Sequence, residues 1–316
     1  MSDLKIALRR LVKNPGFAAV AALTLALGIK SDTAEAAEPD ATTGDRVELI
    51  DIGGRKLQLL TRGEGSPTVV VEAGLGEPPI ESGSWRAVLD AISRSNRICI
   101  YDRAGLGKSD PPPKLPRTSR DVAGDLSALL VKADVPGPYL LVGHSWAGNH
   151  IRVFAGQYPE KVLGVVLVDS SHPDQDEKWT AVLPAPSPDE PESVRKMRQF
   201  FSTRADPVTN PEQIDFRASE AQVRAAGSLG DKPLVILSHS SKFRYDPSLP
   251  EAISLQFEEV AQELQDDLKR LSSNSTLKQS QNGGHYLHAE DLELAIQGIR
   301  QALEAVKQQT TGTIRP

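Results

Sequence analysis

The stretch Gly143-His144-Ser145-Trp146-Ala147-Gly148 constrains this chain more than any other. A short apolar run, Tyr139-Leu140-Leu141-Val142, precedes it, and a segment with helical spacing, Asn149 to Gln157, follows. A strand that turns sharply into a helix brings the two elements close together, so the residues beside the apex must be small. The same turn holds the apex residue in a strained backbone conformation and lifts its side chain above the sheet edge. Gly143 is the first small residue. The second is Ala147, where the usual pattern carries glycine, and Gly148 follows one place later. The pattern is therefore Gly-x-Ser-x-Ala, with a serine presented as a nucleophile.

The segments around this turn alternate between two periodicities. Val47 to Ile52 and Lys56 to Leu60 alternate about Gly53-Gly54, which predicts a hairpin. Continuous apolar runs at Thr68–Val71, Ile98–Tyr101, Tyr139–Val142, Val165–Val168 and Leu234–Leu237 predict buried strands, and Thr276–Gln279 a last one. Between them, Trp85–Ile92, Ser119–Ala133 and the segment after the serine turn carry helical spacing, as do Ile253–Leu271 and Leu292–Val306. Apolar strands alternating with helices predict an α/β fold, a mostly parallel sheet covered on both faces. The rhythm breaks between Ser170 and Gly230, where Pro184, Pro186, Pro188 and Pro191 open an irregular stretch with two helical patterns, at Val194–Phe201 and Ile214–Val223. A helical insert at 172–230 is expected to form a cap over the site and to shape its pocket.

With 316 residues the chain is long enough for one large domain of roughly 250–280 residues. The net charge of -6 and the lack of an aromatic-rich basic patch argue against nucleic acid as a partner. A single cysteine, Cys99, excludes an internal disulfide, and its apolar surroundings suggest a small buried hydrophobe. The six histidines are not at metal-ligand spacings, so neither a metal nor another cofactor is expected.

The first 36 residues follow a different logic. Lys5, Arg9, Arg10 and Lys13 precede an apolar run, Phe17 to Gly28, and Ala34 and Ala36 form an Ala-x-Ala exit. This predicts a secretory signal peptide over 1–36, cleaved after Ala36 or Ala37, or an uncleaved anchoring leader. The apolar run is shorter than the ~20 residues that span a bilayer. The same stretch, from Leu8 through Phe17 and Leu23 to Ile29, resembles the N-terminus of MacB-type ABC-transporter permeases. No further spans follow it, and a leader for export or anchoring is the simpler expectation. Polar residues 37–45 are expected to be a linker, 46–309 the folded domain and 310–316 a tail.

From Val47 to Val306 the chain resembles the serine α/β-hydrolases. The landmarks are the serine turn, Glu72-Ala73-Gly74-Leu75-Gly76 after the third strand, Tyr101 to Asp110 after the fourth, and Gly284-His285-Tyr286 near the end, in that family's order. The resemblance implies Ser145 as nucleophile and His285 as its base, since the family's chain order is serine, acid, histidine. His144 and His288 are read as structural, and His150, His172 and His239 as ordinary polar residues. The acid stays open between two aspartates. Most of the family carries it after the strand that follows the cap, but that turn reads Ser238-His239-Ser240-Ser241, and Asp246 lies farther on. Asp169, at the end of Val165–Val168, is the alternative position, and it is preferred. The oxyanion hole is expected from the backbone N–H groups of Trp146 and Leu75, in a loop that carries Ala73-Gly74 where the family often has His-Gly. The segment Asp102 to Ser109 is read as a structural turn.

These features predict a hydrolase that cleaves a carboxylic ester, or an amide, lactone or thioester, through an acyl-enzyme. Its partner would be a small acyl substrate, and a membrane would be met only through an uncleaved leader. A serine argues against the aspartate-nucleophile chemistry that this fold uses on halides and epoxides. The rival reading is an inactive relative that binds without cleaving. Trp179, Met197, Phe200 and Phe201 would line a partly apolar pocket or simply pack the insert onto the body.

Overall fold

In the computed structural model, residues 44–312 are described. The predicted leader, most of the linker and the end of the tail lie outside the described residues. Eight strands form one sheet: β1 (Arg46–Asp51), β2 (Lys56–Arg62), β3 (Thr68–Glu72), β4 (Ile98–Tyr101), β5 (Tyr139–His144), β6 (Val162–Val168), β7 (Leu234–Ser238) and β8 (Ser275–Gln279). Their spatial order is β1-β2-β4-β3-β5-β6-β7-β8. The hairpin strand β2 runs antiparallel to β4, and from β4 to β8 every pairing is parallel. The chain thus reverses direction across the sheet between β3 and β4, and β5, which carries the serine turn, sits centrally.

The described helices are α1 (Pro79–Ser82), α2 (Arg86–Ile92), α3 (Ser119–Lys132), α4 (Ala147–Gln157), α5 (Gln175–Val182), α6 (Glu192–Arg204), α7 (Phe216–Ala225), α8 (Glu251–Asp267), α9 (Leu287–Glu290) and α10 (Leu292–Gly312). The strand period of two sorts the core into two layers. Val70, Leu141, Val165, Leu167 and Ile236 pack against Leu126, Leu129 and Leu130 of α3 and Ile151 and Phe154 of α4. Their neighbours Val69, Val71, Val142, Val166 and Leu237 point the other way, onto Val88 and Ile92 of α2 and Ile299 and Leu303 of α10. Both faces being apolar is why these strands read as unbroken hydrophobic runs. Cys99 lies in the first layer with no exposure, and burial pushes its thiol up to about 12.

Two ends differ from expectation. Asp45, at the end of the expected linker, is buried in ion pairs with Arg62 and Arg86. The closing helix runs to Gly312, three residues past the expected limit, because nothing after Val306 breaks it. The long helical pattern at Ile253–Leu271 divides: α8 ends at Asp267 and a 3-10 turn, Leu268–Leu271, completes it. Among the described residues, no helix is long and apolar enough to cross a membrane.

The 172–230 stretch contains α5 as well as the two expected helices. Trp179 of α5, Val194, Met197 and Phe201 of α6 and Phe257 and Ala261 of α8 form their own apolar cluster. The Trp179 indole N–H donates to the carbonyl of Phe257 at 3.0 Å. These aromatic residues therefore seat the insert on α8. The second half of the insert leans on the site instead: Ile214 and Phe216 pack with the Trp146 side chain and Leu75.

Candidate active site

Ser145 leaves β5 with φ +56°, in the left-handed region that a non-glycine residue rarely adopts. Its backbone is fixed on both sides, the N–H donating to Val168 O at 3.1 Å and the carbonyl accepting from Gly148 and Ser171. The close approach expected at the flanking small residues is present. A Cβ on Gly143 would lie 2.8 Å from Ile151 Cδ1, and one on Gly148 would lie 1.8 Å from Ser170 Oγ. Ala147, in contrast, keeps its methyl group buried. The position that cannot carry a side chain is 148, so the shift of glycine by one place still meets the steric demand.

The loop after β8 brings His285 over the turn. Its Nε2 lies 2.9 Å from Ser145 Oγ, and its Nδ1 lies 2.6 Å from Asp169 Oδ2. The Asp169 side chain has no exposure, whereas the His285 side chain is 22% exposed. Asp169 leaves β6 with φ +42°, and its N–H donates to Leu237 O at 2.7 Å. Two residues that end adjacent strands are thus both held in a strained conformation, which costs of order 1–3 kcal/mol each and is typical of functional sites. Asp246 does not come to His285. Its carboxylate accepts from the Ser248 backbone N–H and hydroxyl and closes an exposed turn.

His239 stands on the other side of Asp169. Its backbone N–H donates to Oδ1 at 3.1 Å, and its Nδ1 lies 2.5 Å from the same oxygen. Its Nε2 faces both Glu258 oxygens, at 3.1 and 3.2 Å. Burial would lower the His239 pKa, but the Asp169 and Glu258 carboxylates raise it to about 10. Burial would also raise the Asp169 carboxyl, and the charges and hydrogen bonds of His239 and His285 overcome this and hold it well below the usual carboxylate range. Sequence reasoning treated His239 as an ordinary polar residue; its position where the family's acid usually stands was the available signal.

Of the two expected oxyanion donors, Trp146 directly follows Ser145, and Leu75 packs in the same apolar cluster as the Trp146 side chain. Among the described residues, neither the Leu75 nor the Trp146 backbone N–H makes a hydrogen bond, whereas Gly74 N–H donates to Glu77 and Gly76 N–H to Glu212. The Leu75 loop is pinned from below by Arg103, whose guanidinium donates to Ala73 O and Gly74 O, each at 2.6 Å. Arg103 also pairs two-pronged with Glu212 of the insert, at 2.7 Å on both arms. The Asp102–Ser109 segment, read as a structural turn, thus braces the Leu75 loop through Arg103, and Glu212, 109 residues from Arg103, escaped sequence reading altogether.

His144 and His288 brace the His285 loop. The His144 Nε2–H donates to the His285 carbonyl at 2.9 Å, and the His288 ring stacks on Trp85 with centroids 4.2 Å apart. Burial, with His285 nearby, lowers His288 to about 3 and His144 well below its ordinary value, so both are neutral. Glu77, His144 and His288 each bring one ligand-type atom within 4.8 Å of the others. Spacing along the chain did not reveal this grouping, because it is made by the loop after β3, the end of β5 and the start of α9.

The chain belongs to the alpha/beta hydrolase fold family, whose pattern it matches over residues 67–265. Among its relatives, the uncharacterized protein YqjL of Bacillus subtilis is 28% identical over 230 residues, 73% of this chain and 81% of YqjL. A protein of Hormonema carpetanum named "Probable transporter efuK" is 37% identical over 140 residues, 42% of this chain; the match spans only 20% of that protein's own length. The solved structure of lip1 from Acinetobacter baumannii AYE, provisionally classed as a lipase, superimposes with a TM-score of 0.60 over 84% of this chain and 93% of lip1. At 20% identity, that likeness speaks for the fold alone.

Proposed function

We propose that this protein is a serine hydrolase that cleaves a carboxylic ester or related acyl substrate through an acyl-enzyme. The observation that carries this reading is the row Ser145 Oγ, His285 Nε2, His285 Nδ1 and Asp169 Oδ2, with hydrogen-bond distances of 2.9 and 2.6 Å. His285 takes the serine proton as Oγ attacks the carbonyl, and Asp169 stabilises the imidazolium that forms. The developing oxyanion faces the unengaged N–H groups of Leu75 and Trp146, and each such donor contributes ~3 kcal/mol in the transition state. His285 then donates its proton to the leaving group and later activates water to release the acyl chain. Amide, lactone and thioester substrates would pass through the same steps. The leader supports a second part of the proposal, export to the periplasm or beyond, with anchoring as its alternative; N-terminal sequencing of the protein recovered from the cell envelope tests it, and a start at Ala37 or Glu38 means cleavage.

The direct test is turnover of short-chain aryl esters. Ser145→Ala is expected to lose kcat by about 10⁴-fold or more, with labelling by a fluorophosphonate lost in parallel. Equal rates for the two proteins would refute the reading.

A further inference from the structure

We propose that His239, held between Asp169 and Glu258, is a positioning residue that keeps Asp169 ionised and aimed at His285. The working unit is then a row of five, Ser145–His285–Asp169–His239–Glu258. This inference rests on the serine-hydrolase reading above.

The argument begins with the donor count. A neutral imidazole has one N–H donor and one acceptor nitrogen, whereas a carboxylate can only accept. His239 faces Asp169 with Nδ1 and Glu258 with Nε2. With both carboxyl groups ionised, both nitrogens must donate, and the geometry points to an imidazolium. The side chain is fully buried, as is Asp169, and Glu258 is only 6% exposed, so water does not satisfy this demand. The raised pKa of His239, about 10, agrees with the donor count.

The topology explains how the row forms. β6 and β7 are parallel neighbours with Val168 opposite Leu237, which sets the residues after each strand side by side. The carboxylate comes from the β6 exit and its cationic partner from the β7 exit. α8 then brings Glu258 against the far side of the ring. The remaining groups facing His239 are the Tyr245 hydroxyl at 3.4 Å, the Gln262 amide at 3.4 Å and the Phe243 ring. Asp169 uses Oδ1 for His239 and Oδ2 for His285, so rotation of the carboxylate away from His285 would break a charged hydrogen bond on each oxygen.

Two substitutions separate this role from simple packing because they change charge in opposite senses. His239→Asn removes a cation and leaves the charge of Glu258. It should favour the protonated base and move the acid limb of kcat/KM upward by about one pH unit. Glu258→Gln removes an anion while Asp169 still holds the His239 cation, and should move that limb downward. The measurement is the pH profile of aryl-ester hydrolysis by the full-length protein and both variants, with fluorophosphonate labelling of Ser145 as a control. A second measurement needs no variant: ¹⁵N-histidine NMR of the intact protein should show His239 as imidazolium at pH 8. Opposite displacements of the acid limb and a charged His239 support the proposal. Profiles that overlay the wild type or shift in the same direction, or a neutral His239 at pH 8, overturn it. Should His239→Asn fail to fold, Glu258→Gln and the NMR signal decide. Loss of Ser145 labelling in the wild type would instead sink the serine-hydrolase reading, and the five-member row with it.

Discussion

Ser145 stands where it does because Gly143 and Gly148, two residues before it and three after, have no side chains to oppose the turn. The sequence showed this directly, apart from the place of the second glycine. The Gly148 backbone lies against Ser170, so Gly148→Ala should lower stability by ~1–3 kcal/mol through overpacking and displace the nearby Trp146 N–H, the proposed oxyanion donor. Restoring the common pattern by Ala147→Gly should cost no more than about 1 kcal/mol of helix propensity and leave ester turnover within a few-fold. Thermal unfolding and aryl-ester kinetics of the two variants check both statements. At this scale Ser145 and His285 were legible because the family marks them with local glycine patterns. Asp169 was only one of two possibilities, since a carboxylate at a strand end carries no mark of what lies beside it. His239 was passed over for the same reason: no local sequence feature says that both of its ring nitrogens face acids.

At the scale of elements, the two halves of the insert between β6 and β7 pack differently. Its first half is fastened to α8 by Trp179 and Phe201, so of the two roles open to these residues they take packing. Its second half carries Glu212, which meets Arg103 and the Gly76 N–H beneath the oxyanion loop. Arg103 and Glu212 are both buried, and removing one partner of such a pair typically costs about 3–5 kcal/mol, although here Glu72, 3.9 Å from Arg103, remains as a second acid. Glu212→Ala should destabilise by that order. It should also lower kcat for esters more than it raises KM, since the Leu75 donor acts mainly on the transition state. Urea denaturation and steady-state kinetics would measure the two effects; unchanged stability would mean that Arg103 holds the loop without help from the insert. Two of the insert's three α-helices were readable from spacing, whereas α5 was not, nor which of their residues turn toward the loop, because spacing gives a face and not its partner.

At the scale of the whole molecule, the two faces of the sheet hold the fold together, and the buried charge row makes its stability depend on pH. The folded-state pKa of His239 is raised above the ordinary value of 6.5, to about 10. Its contribution is therefore fully present below about pH 6.5 and is lost as pH rises toward 10. The folded-state pKa of Asp169 is depressed, so its contribution is present above the ordinary value of 3.8 and is lost as the solution is acidified below it. Stability should peak between these limits and fall on both sides. In His239→Asn the alkaline fall above pH 7 should be reduced, and denaturant midpoints from about pH 2 to pH 10 for wild type and variant provide the check.

By itself the sequence determined the order of strands and helices, the two-faced apolar sheet, the serine turn and the histidine of the final loop. These depend on periodicity and on steric limits within a few residues, and such information is written along the chain. Only the tertiary structure decided the rest. It brought Asp169 rather than Asp246 against His285, set His239 and Glu258 behind it, and placed Glu212 under a loop more than a hundred residues away. Hydrogen bonds and buried charges depend on distance in space. Which polar groups meet is settled when strands β6 and β7 come into register and the helices close over their ends.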